Sequence, residues 1–194
     1  MLNWYTAYNS TTGQIVSVFN DDGNTVVQNT PANTLLVEGA FDLEGYIDIA
    51  SKQFVPMPTK PDSISVFNWT TKLWEDPRSL EDLKNEQWEY IKQIRTQKEQ
   101  AGFTWNNNIF DSDIVSQQKI LGAAQLATLD PNYVVDWTLQ NNSVITLNAE
   151  QVIEVGRALG EHLTQLHLIS QQLRQQIDAA TNKQQVEAVI WPSS

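Results

Sequence analysis

The feature that most constrains this chain is a regular apolar seam near its C-terminal end. Apolar or small residues recur there at alternating spacings of four and three, the heptad pattern of a helix that packs along its length. The seam runs through Val152, Gly156, Leu159, Leu163, Leu166, Ser170, Leu173 and Ile177. A helix from Ala149 to Ala180 would be about 48 Å long at about 1.5 Å per residue, which is more than a compact domain needs.

Two arrangements would cover this seam. A weaker seam predicts another helix from Leu80 to Ala101, and the two helices could pack antiparallel within one chain. Alternatively, part of the long seam contacts another chain, and the protein then associates with itself through the long helix. The spacing alone is compatible with both arrangements.

Three times after residue 63, a short hairpin that contains a Trp is followed by a helix with a capping residue. The predicted hairpins span residues 65–74, 103–110 and 134–147, and the helices run from 80 to 101, from the Asp111–Asp113 segment to near 129, and from 149 to 180. Either Asp76 or Ser79 caps the first of these helices. Asn148 caps the long helix, and Gln151 is placed to complete a capping box.

Residues 1–75 have β character, with aromatic and alternating apolar segments separated by turn clusters. Pro56, Pro58 and Pro61 then form a stiff extended linker, because proline cannot occupy a central strand. The predicted division is a β-rich docking segment over residues 1–60 and a hairpin-plus-helix domain over residues 61–194. The sequence therefore predicts an α+β protein: a β-rich N-terminal segment followed by small hairpins packed on helices, with one long C-terminal helix.

Nothing in the sequence indicates catalytic chemistry. The absence of cysteine excludes disulfides and thiolate metal sites. His162 and His167 are five residues apart, so they would face different directions on a helix and not share a metal ion; His162 is predicted to be solvated and His167 partly buried beside the seam. Asp111 and Asp113 could pass for paired carboxylates, but helix capping explains them. We expect no catalytic residues, no cofactor and no metal.

The charge balance excludes some partners. The net charge is −11, and the twelve Lys and Arg residues are scattered, so a nucleic-acid partner is not expected. An apparent calcium loop at residues 21–24 lacks the required ligand register and is predicted to be a hairpin turn. No apolar run reaches the length of a membrane span, and the N-terminus lacks a secretory signal pattern, so we expect synthesis in a cytoplasm and no membrane insertion.

Aromatic and seam residues are the candidate docking positions. Trp4 and Trp191 lie near the two ends of the sequence, where burial within a monomer is least assured, and aromatic residues are enriched at the centres of protein interfaces. The candidate partner-docking residues are Trp4, Tyr5, Tyr8, Leu159, Leu163, Leu166, Leu173, Ile177 and Trp191.

Several short motifs between residues 97 and 182 resemble an uncharacterised domain family that recurs in tailed-phage proteins. They include 100–105 (QAGFTW), 110–113 (FDSD), 116–120 (SQQKI), 136–139 (DWTL), 144–147 (VITL), and the helix through Ala158, Leu159 and His162. Residues 67–78, with FNWTTK and WEDPR, resemble a segment common in tail-fibre and tail-fibre-assembly proteins. These motifs cover about two thirds of the chain, and no catalytic residues accompany them.

The resemblance implies a structural component of a virion tail, near the fibre or the baseplate, that docks to other tail proteins and takes part in host attachment. A tail-fibre assembly chaperone, which would bind its partner transiently, is the alternative. An enzyme acting on surface glycans is a remote third, because stacking on sugars usually accompanies a pair of carboxylates about 5 to 9 Å apart and the sequence specifies no such pair.

Overall fold

The computed structural model describes residues 2–22 and 30–192, and these contain eleven strands and four helices. Small antiparallel hairpins and a long C-terminal helix are present, so the predicted α+β class is confirmed. The chain forms two compact units, which divide between Pro77 and Arg78. The predicted turn over residues 21–24 includes residues 23 and 24, and residues 23–29 lie outside the described residues.

The first unit is built on a three-stranded antiparallel sheet in the order β2–β1–β3. The strands are β1 (Asn3–Asn9), β2 (Ile15–Asp21) and β3 (Thr34–Glu38). Tyr8, Ile15 and Ile47 form its buried core, since their side chains meet on one side of the sheet. Gly13, in the turn between β1 and β2, has a φ of +68°, and a Cβ there would lie 2.1 Å from the carbonyl oxygen of Ile47. Only glycine fits this approach.

Two hairpins complete the first unit. They are β4 (Gly45–Ile47) with β5 (Phe54–Pro56), and β6 (Val66–Asn68) with β7 (Leu73–Glu75). The Lys72 ammonium donates a hydrogen bond to the carbonyl of Thr12 and lies 4.5 Å from the centre of the Tyr46 ring. The Trp74 indole donates to the carbonyl of Pro58 over 2.7 Å. Because of these contacts, residues 61–77 belong to the first unit, whereas the predicted boundary lay near residue 60.

The second unit repeats a hairpin-then-helix order. It comprises α1 (Leu80–Glu99), β8 (Phe103–Trp105), β9 (Asn108–Phe110), α2 (Ile114–Leu129), β10 (Val134–Thr138), β11 (Val144–Asn148), α3 (Ala149–Ala179) and α4 (Lys183–Glu187). Ser79, and not Asp76, caps α1, since its hydroxyl accepts from the Asp82 amide while Asp82 accepts from the Ser79 amide. Asn148 and Gln151 form the predicted capping box of α3.

The long helix α3 supports the second unit by packing against two helices in succession. Its N-terminal half meets α2 at Gly156, where an added Cβ would lie 2.9 Å from the Cβ of Ala124. Its C-terminal half runs antiparallel to α1: Lys84 donates to the carbonyl of Asp178 over 2.8 Å, and Arg95 approaches the Ser170 hydroxyl at 3.4 Å. The predicted seam is therefore covered within the chain, by α1 and also by α2.

The short helix α4 was not predicted from the sequence. Asn182 caps it, and it places Val186 and Val189 in the core beside the C-terminal half of α3. Gln87 of α1 donates from its amide to the carbonyl of Val189 over 2.6 Å, which holds the last described segment against the helices. Five residues provide too little periodicity to predict such a helix from the sequence.

A matched pair of glycine substitutions on α3 tests its packing. Gly156→Ala forces a shift of α2, because the new methyl group would meet Ala124, whereas Gly160→Ala enters open space. We expect Gly160→Ala to stabilise the protein by up to about 1 kcal/mol through helix propensity, and Gly156→Ala to be less stable than Gly160→Ala by about 1–3 kcal/mol. Denaturant unfolding measures both values, and equal stabilities would contradict the close approach of α2 and α3.

The cap of α2 makes stability depend on pH. The Ser116 hydroxyl and then its backbone amide donate to the Asp113 carboxylate, and these bonds lower the pKa of Asp113 below its ordinary value of 3.8. A lowered folded-state pKa stabilises the fold above pH 3.8, and this stabilisation is lost as the pH falls further. Asp113→Asn replaces the carboxylate with a group that cannot titrate, and Ser116→Ala removes the main hydrogen-bond donor. We expect each variant to lose less unfolding free energy than the unsubstituted protein between about pH 5 and about pH 2. An unchanged acid dependence in both variants would contradict this account.

Candidate interaction surfaces

The structure separates the predicted docking residues into core and surface. Tyr8, Leu159, Leu166, Leu173 and Ile177 are each at most 9% exposed, so they are core residues and their prediction as docking positions was wrong. The seam side chains are buried because α1 and α2 pack on them.

Three further candidates are partly buried. Leu163 packs against the core formed by α2 and α3, and Trp191 packs against the cluster of Ile91 and Ile177. The Tyr5 ring lies 6.1 Å from that of Phe19 across the β1–β2 pair. These side chains pack partly within their own units, and their role as docking positions stays a prediction.

Trp4 is the one predicted docking residue whose side chain is half exposed, at 50%. It lies in β1 opposite Asn20, and its carbonyl accepts from the Gly39 amide over 2.7 Å. Strand pairing places Asp21 and Glu38 at the same end of the sheet, since Asn3 pairs with Asp21 and Tyr5 pairs with Glu38. The side chains of Asp21 and Glu38 lie on the face of the sheet opposite Trp4, because paired residues share a face and successive residues alternate, and Asp21 is buried. We call the half-exposed indole and the strand end around it the Trp4 surface.

A second surface, on α2, was not predicted. Ile120, Ala123 and Ala127 bury the inner side of this helix against α3. The outer side is also apolar: Ile114 is 61% exposed, Leu121 57% and Leu129 76%. We call the following residues the α2 outer face: Ile114, Gln118, Leu121, Gly122, Gln125 and Leu129.

An exposed helix normally carries charged side chains on the side away from the core. In α2 the sole charged residue is Lys119. Together with Val115 and Leu126, the three apolar residues of the α2 outer face present on the order of 500 Å² of apolar surface, the size of the largest such patch on a typical monomer. The sequence of α2 contains an indication of this surface. Its sixteen residues include one charged residue and show no apolar periodicity, which is typical of a helix covered on both sides.

A groove of about 510 Å³ runs beside this face, between α2 and β10. Lys119 and Leu126 line it from the helix, and Tyr133, Val135 and Trp137 line it from the hairpin segment. Asp136 in the same groove accepts a hydrogen bond from the Thr146 hydroxyl over 2.7 Å, which ties its carboxylate to the neighbouring strand. The groove extends the surface around α2.

The two histidines have environments opposite to those predicted. His162 is half-buried, stacks 6.1 Å from the Phe103 ring and lies 3.4 Å from the carbonyl of Lys98. His167 is exposed, and its Nε2 lies 2.8 Å from the amide nitrogen of Gln171. Within residues 2–22 and 30–192, no group of three or more His, Asp or Glu side chains is placed to hold a metal ion.

Residues 82–190 match the family model of a domain of unknown function, DUF4376. The chain belongs to this family. The matched segment begins in the first turn of α1 and ends after α4, so it coincides with the hairpin-and-helix unit. Searches of curated proteins and of solved structures return no match to the chain. None of the helices in the described part of the chain is long and apolar enough to cross a membrane.

Proposed function

We propose that this protein is a non-catalytic structural adaptor of a bacteriophage tail, located at the fibre or the baseplate, where it docks to other tail proteins. The observation that best supports this proposal concerns the motifs that resemble phage tail proteins. Their residues make structural contacts within the DUF4376 domain. Ser112 is buried and its hydroxyl accepts from the Gly102 amide over 2.8 Å, while its carbonyl accepts from Gln117. Asp113 caps α2. The polar groups of these motifs therefore hold the β8–β9 hairpin and the start of α2 in place.

The aromatic residues of the same motifs are also structural. The Phe110 ring lies 5.5 Å from that of Phe103, 6.1 Å from that of Trp105 and 6.4 Å from that of Trp137. This cluster joins the β8–β9 and β10–β11 hairpins to each other. Such a domain offers a rigid body on which binding surfaces can be carried, which is the requirement of an adaptor.

In this proposal the Trp4 surface is the attachment point of the first unit, and its partner is a basic surface of another tail protein. The first unit contains nine Asp and Glu residues and three Lys. Of these lysines, Lys60 and Lys72 donate to backbone carbonyls within the unit. An exposed indole on a unit with this excess of acidic residues suits an Arg- or Lys-bearing partner, since the ring face attracts a cation and the negative charge of the unit complements it.

Measurement of the protein in purified virions tests the adaptor function. We expect a fixed number of copies in each particle by quantitative mass spectrometry, because an adaptor stays in the assembled tail. Complete absence from particles would contradict the proposal. If the protein were absent from particles and co-expression rescued the solubility of a tail fibre, the assembly-chaperone alternative would replace it.

Substitution of Trp4 tests the attachment point. We expect Trp4→Ala to weaken binding to tails assembled without the protein by at least about tenfold, since an aromatic anchor at an interface centre typically contributes about 2 kcal/mol or more. Binding of the unsubstituted protein should also weaken as salt increases. Leu73→Ala is the matched control, because Leu73 is an exposed apolar residue on another hairpin of the same unit. Equal binding by the two variants would contradict the role of Trp4.

A further inference from the structure

We infer that this protein forms a two-fold dimer in which the α2 outer faces of two copies pack antiparallel. The inference is independent of the phage assignment. It begins from a physical problem: α2 is apolar on both sides, but α3 covers only one of them. Exposed Ile114, Leu121 and Leu129 would raise the free energy of a monomer in water, and burial against another surface would lower it.

The composition of the face favours a second copy of the same chain. The chain carries a net charge of −11, so two copies repel each other at most orientations. Among the four helices of the described chain, α2 is the one without Asp or Glu. An approach through α2 therefore brings together the helical surfaces with the least mutual repulsion.

The residues of the α2 outer face are also complementary to themselves under a two-fold axis. They are spaced so that an axis between Leu121 and Gly122, the middle of the helix, pairs apolar with apolar and polar with polar. In an antiparallel pair, Ile114 meets Leu129 of the second copy and Gln118 meets its Gln125. Leu121 meets Gly122 of the second copy, so a large side chain enters a position without one.

Gly122 is the most informative residue of this arrangement. It lies in the interior of α2, where glycine costs about 1 kcal/mol relative to alanine. Nothing lies within 4 Å of a Cβ added there, so the packing of one chain does not require glycine. A dimer does require it, because a side chain at this position would occupy the space of Leu121 from the second copy.

The area is adequate for a stable contact. Stable interfaces bury about 800 Å² on each partner. The aliphatic side chains on this side of α2 expose on the order of 500 Å², and Gln118, Gln125 and the backbone at Gly122 add to that area. Gln118 and Gln125 of the two copies can donate to and accept from each other, so polar side chains face each other across the axis.

Sedimentation equilibrium of the purified 194-residue chain tests the dimer at about 1 to 200 µM, which brackets a micromolar Kd. We expect the mass to rise from 22.0 kDa toward twice that value with concentration. A mass of 22.0 kDa throughout would overturn the inference and indicate that a different protein covers the face.

Substitution of Gly122 separates association from folding. Gly122→Leu introduces a better helix former into open space, so the thermal stability of the monomer should be unchanged or higher, while association should weaken at least about tenfold. Gly160→Leu adds the same side chain at an exposed position of α3 and should leave association unchanged. A dimer that is insensitive to Gly122→Leu would form through another surface and would overturn the inference.

Charge substitutions at the glutamines test the antiparallel direction. Gln118→Glu with Gln125→Lys creates two attractive pairs across the axis and should tighten association by about threefold. Gln118→Lys with Gln125→Lys creates two repulsive pairs and should weaken it, although the added lysines lower the overall negative charge. A parallel dimer would bring Glu opposite Glu in the first variant, so weaker association there would overturn the proposed arrangement.

Discussion

The packing of one long helix against two others is the constraint on which the DUF4376 unit depends. Along α3, the face that begins at Val152 is covered first by α2 and then by α1. A single helix thus carries two cores: the first includes Ile120 and Leu159, and the second includes Ile91 and Ile177. The length that seemed excessive for a compact domain is explained by this division, because each half of α3 packs against a different helix.

The small residues of the seam are explained by the same contacts. Gly156 lets α2 approach at Ala124, and a larger residue would force the two helices apart. Ser170 is fully buried, where its hydroxyl donates to the His167 carbonyl and lies near the Arg95 guanidinium. Both residues interrupt an otherwise aliphatic seam at points where a neighbouring helix or a charged side chain approaches.

Exposed apolar side chains remain in both units after these cores have formed, and two groups of them carry the proposals above. Trp4 is exposed at one end of the first unit, and the outer side of α2 is exposed in the second. Exposed aromatic and aliphatic side chains of this kind are the groups on which the proposed contacts rest. One is an aromatic ring on a unit rich in acidic residues, and the other is aliphatic and nearly uncharged, so the two surfaces differ in chemistry.

The local structure was largely predictable from the sequence. Capping by Asn148 with Gln151, the long seam, and the turns at Asn106–Asn107 and Asn142 follow from interactions between neighbouring residues. In those turns the asparagines have positive φ angles, as tight hairpins require. The hairpin-then-helix order and the α+β class followed from these signals.

The surfaces, by contrast, were decided by tertiary packing. The sequence determined that Leu159 and Ile177 lie on one face of a helix, and only the fold decided that α1 and α2 of the same chain cover that face. It likewise decided that Trp4 is half exposed while Tyr8, on the same strand, is buried. The physical reason is that periodicity fixes which side chains share a face, whereas burial depends on segments distant in sequence that pack against it.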